Sequence, residues 1–386
     1  MHEAIDKIVN TSIEYGCTIG ANCMILKDGK EIFSASYGFA DKENNIPMMK
    51  DGIFRLFSLS KPVTAAAAMI LIDRGLLSPD DAVSKYLPEY AQMSYVDGEK
   101  ILPCPVEMKI SHLLNMTSGI PYADNWGISV RGAAKLFDEI IHGQNTGNEL
   151  STIEIARKAA DIPLMFKPGD NWYYGISADI MGAVIEIISG MKYSEFLKKN
   201  IFEPLGMNDT GFYVPEEKLN RFTALYEWKN NVITRTYDNF LGLTDYTKAP
   251  EFESGGAGLV STIEDYSKFA CMLAGKGEFN GIRLFSEKTF EYMTTPQLNE
   301  KQLSGLWERL SGYNYGNFMR ILEKPELSQL KTVKGEFGWD GWTGTFVAAD
   351  PENNIVCLYF TQICGAGTTP EAAAICETVY NKLVRN

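Results

Sequence analysis

The chain has 386 residues, 45% of them hydrophobic and 22% charged, with a formal net charge of −13. At roughly 100–200 residues per domain, that length suggests two domains or one with a large insertion, and a core that needs no disulfides. The acidity argues against nucleic acid or an anionic membrane surface as the main partner, because both attract basic faces. The seven cysteines are odd in number, scattered and without a CxxC pair, which fits reduced thiols in a cytosolic protein. The N-terminus lacks a basic start followed by an apolar run. The longest apolar stretch, near residues 65–72, is too short to span a bilayer. A soluble, cytoplasmic protein is expected.

In chain order, residues 3–15 carry helical spacing of apolar residues. Strand-like runs at 23–26 and 31–37 flank Lys27-Asp28-Gly29-Lys30, whose Asp-Gly pair suits a tight hairpin. Residues 60–72 and 178–189 repeat at helical intervals, with Gly75 and Gly190 where C-caps are expected. Near the end, β-rich runs at 345–349 and 355–361 are joined by Asp350-Pro351-Glu352-Asn353-Asn354, and a helical tail covers 370–384. Strands at both ends and helices between them predict an α+β fold. An antiparallel sheet from both termini (residues 1–75 and 250–386) would carry an inserted, mainly helical domain (76–249).

Ser58-Leu59-Ser60-Lys61-Pro62 precedes the strong helix former Val63-Thr64-Ala65-Ala66-Ala67-Ala68-Met69. Ser58 and Lys61, three residues apart on a helix, lie on one face. The helix start supplies free N–H groups and a positive dipole end. A serine hydroxyl needs a base within reach, and a partly desolvated lysine has the lowered pKa that suits it. Taken alone, an SxxK tetrapeptide is a weak signal that a long protein can contain by chance, and an N-cap beside a solvated lysine is the plainer reading.

The run from Tyr37-Gly38-Phe39-Ala40-Asp41 to Phe54-Arg55-Leu56-Phe57-Ser58-Leu59-Ser60-Lys61-Pro62 resembles the serine β-lactamase-related family, which includes class C β-lactamases, DD-peptidases and family VIII esterases. Gly75-Leu76-Leu77-Ser78-Pro79-Asp80-Asp81, Ile110-Ser111-His112-Leu113-Leu114-Asn115-Met116-Thr117-Ser118-Gly119-Ile120, Pro204-Leu205-Gly206-Met207 and Gly255-Gly256-Ala257-Gly258-Leu259 follow in family order. The resemblance implies a β-lactamase/transpeptidase-like fold with Ser58 and Lys61 as nucleophile and partner. Its second element, a tyrosine, falls in Trp172-Tyr173-Tyr174-Gly175-Ile176-Ser177-Ala178-Asp179. The register favours Tyr174, with Tyr173 the alternative, and an adjacent ammonium is expected to ease loss of the phenol proton. The third element is Trp339-Asp340-Gly341-Trp342-Thr343-Gly344, the Trp-x-Gly form of esterase-like members, and implies an oxyanion hole from the N–H groups of Ser58 and Trp342.

Two departures bear on substrate. Ile176 stands where β-lactamases commonly place an amide side chain, and Trp339 replaces the cation that would bind a β-lactam carboxylate. Trp339, Asp340, Gly341, Ile176, Tyr122 and Trp126 are the candidate substrate-binding residues, with the loops 121–127 and 226–246 shaping the pocket. With three histidines and no GxSxG, a Ser-His-Asp hydrolase is disfavoured. His112 reads as a packed, hydrogen-bonded histidine. No metal or nucleotide motif occurs, so no cofactor is expected. The resemblance implies an acyl-enzyme hydrolase of a small ester or amide, carboxylesterase first. DD-peptidase, D-aminopeptidase or weak class C-type β-lactamase is the alternative, and an inactive penicillin-binding-like module is the reading from another class. The sequence leaves the oligomeric state open.

Overall fold

The computed structural model describes residues 1–237, 239–243 and 246–385. After helix α1 (His2–Glu14), strands β1 (Gly20–Lys27) and β2 (Lys30–Asp41) form a hairpin. Asp28 and Gly29 both take positive φ, 53° and 71°, the pair of left-handed residues that matches the twist of a two-residue turn. β3 (Ile46–Pro47) ends this edge. The C-terminal part adds β4 (Tyr313–Gly316), β5 (Met319–Leu322), β6 (Phe337–Asp340), β7 (Phe346–Asp350) and β8 (Ile355–Phe360). Together they make an eight-stranded antiparallel sheet in the order β4-β5-β6-β7-β8-β1-β2-β3. The two ends of the chain meet where β1 pairs with β8, Ile25 opposite Cys357.

Every residue of β8 is buried, so both sheet faces are covered. Cys357 faces Cys376 on the C-terminal helix Pro370–Leu383. Phe360, of opposite parity, meets Tyr266 on the helix Ile263–Ala274 at a centroid distance of 5.9 Å. Side chains alternate across a strand, so the two helices lie on opposite faces.

Between the sheet's two halves lie α2 (Lys61–Asp73), α3 (Ile128–Thr146) and α4 (Ser177–Ser189); the two helices named above are α5 and α6. α2 is buried from Lys61 to Leu71 and packs on α4. Such all-round burial explains why an Ala-rich run suits it: helices approach closely where side chains are small. Gly75 and Gly190 follow their helices at φ 68° and 67°, the left-handed caps expected of glycine. No helix among the described residues is long and apolar enough to cross a membrane.

Arg320 and Glu336 form a fully buried ion pair at 3.1 Å between β5 and the start of β6. Tyr313 and Thr332 also donate hydrogen bonds to Glu336. Removing one partner of such a pair strands the other. Arg320→Met is therefore expected to cost about 3–5 kcal/mol in urea unfolding, with much of the loss recovered in Arg320→Met/Glu336→Leu. A single variant that unfolds at the wild-type midpoint refutes this.

Candidate active site

The backbone before Ser58 is bent sharply. Phe57 adopts φ 45°, a left-handed conformation uncommon for a bulky residue and of the kind that clusters at functional sites. Residues Phe57–Ser60 form a 3₁₀ turn, and α2 begins at Lys61. Ser58 thus lies in the turn ahead of the α-helix rather than in its first turn. The bend is held from several sides. Leu56 N–H donates to Leu259 O (2.9 Å), Leu259 N–H to Ser60 Oγ (3.1 Å) and the Tyr266 hydroxyl to Leu59 O (2.9 Å).

Lys61 is fully buried. Its Nζ donates to Ser58 Oγ (3.2 Å), Tyr122 Oη (3.0 Å) and the Gly256 carbonyl (2.8 Å). Loss of hydration pushes its pKa down to about 7, against the pull of the Asp179 and Asp340 carboxylates, which favour the charged form. An amine this close to neutrality, within hydrogen-bond reach of a hydroxyl, has the attributes of a general base.

Tyr174 reaches the same centre from the segment before α4. Gly175 allows it: a Cβ there would sit 1.9 Å from Ile120 O. The Tyr173 N–H donates to Met116 O, and Ser118 and Ser177 share a hydrogen bond. This stitching brings Tyr122 and Tyr174 to a ring separation of 5.8 Å. The Tyr174 hydroxyl accepts from Trp339 Nε1 at 2.9 Å and lies near enough to Ser58 for the serine hydroxyl to lower its pKa. The Lys61 ammonium lies 4.6 Å from the centre of the Tyr174 ring. The expectation that this ammonium eases loss of the phenol proton does not hold. Burial dominates and raises the Tyr174 pKa, Ser58 and Trp339 only partly offsetting it.

β6 and the turn after it bring the third element alongside. Thr343 Oγ1 donates to Arg55 O and Thr345 Oγ1 to Leu56 O. Gly341 lets the two backbones touch, since a Cβ there would lie 2.2 Å from Leu56 O. The Trp342 backbone is thereby held next to the Ser58 turn. Its N–H donates no hydrogen bond among the described residues.

These groups adjoin a cavity of about 570 Å³ whose walls are rich in aromatic rings, including Tyr122, Tyr174, Phe240, Trp307, Trp339 and Trp342. Of the candidate binding residues, Tyr122, Trp339 and Asp340 line it, but each is already engaged. Tyr122 accepts from Lys61, the Trp339 N–H is taken by Tyr174, and buried Asp340 pairs with Arg309 at 3.0 Å. Gly341 serves close backbone packing rather than the cavity wall. Ile176 and Trp126 are corrections. Ile176 caps α4 and is buried in the main core, away from the cavity. Trp126 is 59% exposed and lines a separate hollow beside the start of α3. Tyr173 is also outside the cavity wall. His112 lies elsewhere too, its Nδ1 accepting from Lys109 N–H and its pKa pushed down to about 4 by burial. Of the loop 226–246, positions 238, 244 and 245 lie outside the described residues. Among the described residues no cluster of His, Cys, Asp or Glu fits a metal ion.

The beta-lactamase family profile matches residues 5–374. The chain belongs to that family, one of serine hydrolases. It is 29% identical to Protein Rv1367c of Mycobacterium tuberculosis, over 93% of this chain and 90% of the relative. It is 26% identical to Esterase EstB of Burkholderia gladioli, over 97% and 94%. The structure of EstCE1, described as a hydrolase with promiscuous acyltransferase activity, superposes with a TM-score of 0.82 over 97% of both chains at 24% identity, a likeness of fold.

Sequence reasoning missed Asp179 as a site residue. This buried carboxylate accepts from the Ser254 hydroxyl and from Gly256 N–H (3.0 Å), and so fixes the carbonyl that holds Lys61. Its signal was a carboxylate in the first turn of a largely apolar helix. Trp307 and Arg309 left no signal, since they belong to a short turn without periodicity. Because Asp179 favours the Lys61 ammonium, Asp179→Asn is expected to move the ascending limb of the pH–rate profile below its wild-type position near pH 7. An unshifted limb contradicts that coupling.

Proposed function

We propose that the protein is a carboxylesterase that works through an acyl-enzyme on Ser58. The observation carrying this reading is the dehydrated Lys61 amine, held 3.2 Å from the Oγ of Ser58, which lines an aromatic cavity. Ser58 Oγ attacks the ester carbonyl carbon while its proton passes to neutral Lys61. The carbonyl electron pair moves onto oxygen, facing the N–H groups of Ser58 and Trp342, where each such donor is worth on the order of 3 kcal/mol. Collapse of the tetrahedral intermediate expels the alkoxide, which takes a proton from Lys61 by way of the Tyr174 hydroxyl. Water then enters, gives its proton to Lys61, and the acid leaves as Ser58 is reprotonated. Tyr174 stays protonated between steps, consistent with its raised pKa.

Neutral esters are favoured over β-lactams and D-peptides by the third element. The Trp339 position offers a substrate carboxylate no cation, and the indole N–H is spent on Tyr174. Arg309 lines the cavity but is neutralised by Asp340. A missing charge-assisted hydrogen bond costs about 1.5–3 kcal/mol, so kcat/KM for nitrocefin is expected to fall about tenfold to a hundredfold or more below that for p-nitrophenyl acetate. The reverse order sinks the esterase assignment in favour of a β-lactamase.

Two further outcomes are expected. Ser58→Ala abolishes ester turnover and labelling by a fluorophosphonate, with the adduct mass found on Ser58 in the wild type. A dead binding module takes no adduct. Since the base acts when unprotonated, kcat/KM for the acetate ester rises with pH through about 7, as Lys61 loses its proton. A rate that falls across that interval rules out Lys61 as the base.

A further inference from the structure

The catalytic cavity has a neighbour. A second chamber of about 530 Å³ lies between β2 and residues 219–246, and the two share Phe57 and Phe240 in their walls. The partition between them is aromatic. Trp342 stands edge-on to Phe240 at 4.6 Å and to Phe57 at 5.4 Å.

The three rings differ in what else they do. Phe57 is almost fully buried and its strained backbone leads directly into Ser58. Trp342 carries the proposed oxyanion N–H. Phe240 belongs to neither, and is partly exposed on a loop outside the sheet. That loop is pinned just beyond it. Leu241 and Gly242 take φ 59° and 65°, a Cβ on Gly242 would lie 2.6 Å from the Ile140 side chain, and Gln144 of α3 donates to Gly242 O. The Asn239 side chain donates to Gln144 as well. The anchors fall on positions 239 and 242, and none of these contacts involves the Phe240 side chain.

We propose that Phe240 is the specificity-determining gate of this site. Its substrates would be esters with one arm, on the acyl or the alcohol side, that passes Phe57, Phe240 and Trp342 into the second chamber. This rests on the esterase reading and deepens it. A cavity near 570 Å³ already encloses a small ester. The second chamber nearly doubles that room, and its wall includes polar groups, Asn220, Thr223 and the Arg235–Asp41 pair, able to meet a polar end of the longer arm.

The test uses the full chain with two substrate series, p-nitrophenyl esters of lengthening acyl chains and acetate esters of lengthening alcohols. Phe240→Ala is expected to raise kcat/KM for long-arm esters relative to the shortest member in one series, by about tenfold or more. Phe240→Trp is expected to lower that same ratio. Phe240→Leu gives an intermediate reading should the alanine variant fold poorly. A length profile unchanged in both series, or every length scaled by one factor, overturns the gate. That outcome leaves the esterase reading intact so long as wild type turns over the short ester and Ser58→Ala does not. Loss of that contrast removes the esterase reading instead.

Discussion

One buried amine organises this site. Lys61 sits at the first position of α2 with no access to water, where an ammonium is costly to keep. Three acceptors compensate it in part: Ser58 Oγ, Tyr122 Oη and the Gly256 carbonyl. Two carboxylates, Asp179 and Asp340, add a favourable field but are themselves committed, one to Ser254 and Gly256, the other to Arg309. Desolvation outweighs that field and leaves the amine balanced near neutrality. A weaker field would leave a plain neutral amine, and a directly paired carboxylate would lock the ammonium. The layered arrangement, in which the carboxylate holds a backbone group that holds the lysine, avoids both.

That balance needs backbones closer together than side chains normally allow. Gly256 packs against Asp179 and Tyr122, Gly175 against Ile120, and Gly341 against Leu56. At each contact a Cβ would fall at about 3 Å or less from its neighbour, and each joins parts of the chain that are distant in sequence; the Gly341 contact docks directly beside the nucleophile turn. The strained φ of Phe57, of a kind that costs of order 1–3 kcal/mol, persists because hydrogen bonds from Leu56, Leu259 and Tyr266 fix the turn on either side.

These contacts explain what the sequence made legible. The first hairpin, the α2 and α4 helices and their glycine caps are local, and turn chemistry and periodicity placed them closely. The pairing of β1 with β8 was legible only as strand signals at both ends. The residues that the structure brings together were readable where they occupy ordered family segments, as Ser58, Lys61, Tyr174 and Trp342 do. The site was unreadable where a role depends on which way a side chain turns. Tyr122 lines the cavity as expected but is also a lysine partner, Ile176 turns into the core, and Trp126 opens on another hollow. The sign of the Tyr174 shift also escaped, because burial of the phenol cannot be read from a neighbouring positive charge alone.

Trp339 joins the substrate question to the proton question. At the position where a cation would meet a substrate carboxylate, its ring stacks on Tyr174 at 5.5 Å and its N–H donates to the phenol oxygen. A phenol has one proton to give. With Trp339 as donor, the Tyr174 oxygen is an acceptor on that side, and its own proton is left for the partner opposite, Ser58 or the alkoxide that replaces it. The same indole that removes a carboxylate anchor therefore orients the phenol proton towards the reacting oxygen. Under the esterase reading, discrimination against anionic substrates and alignment of the phenol proton both trace to this one side chain.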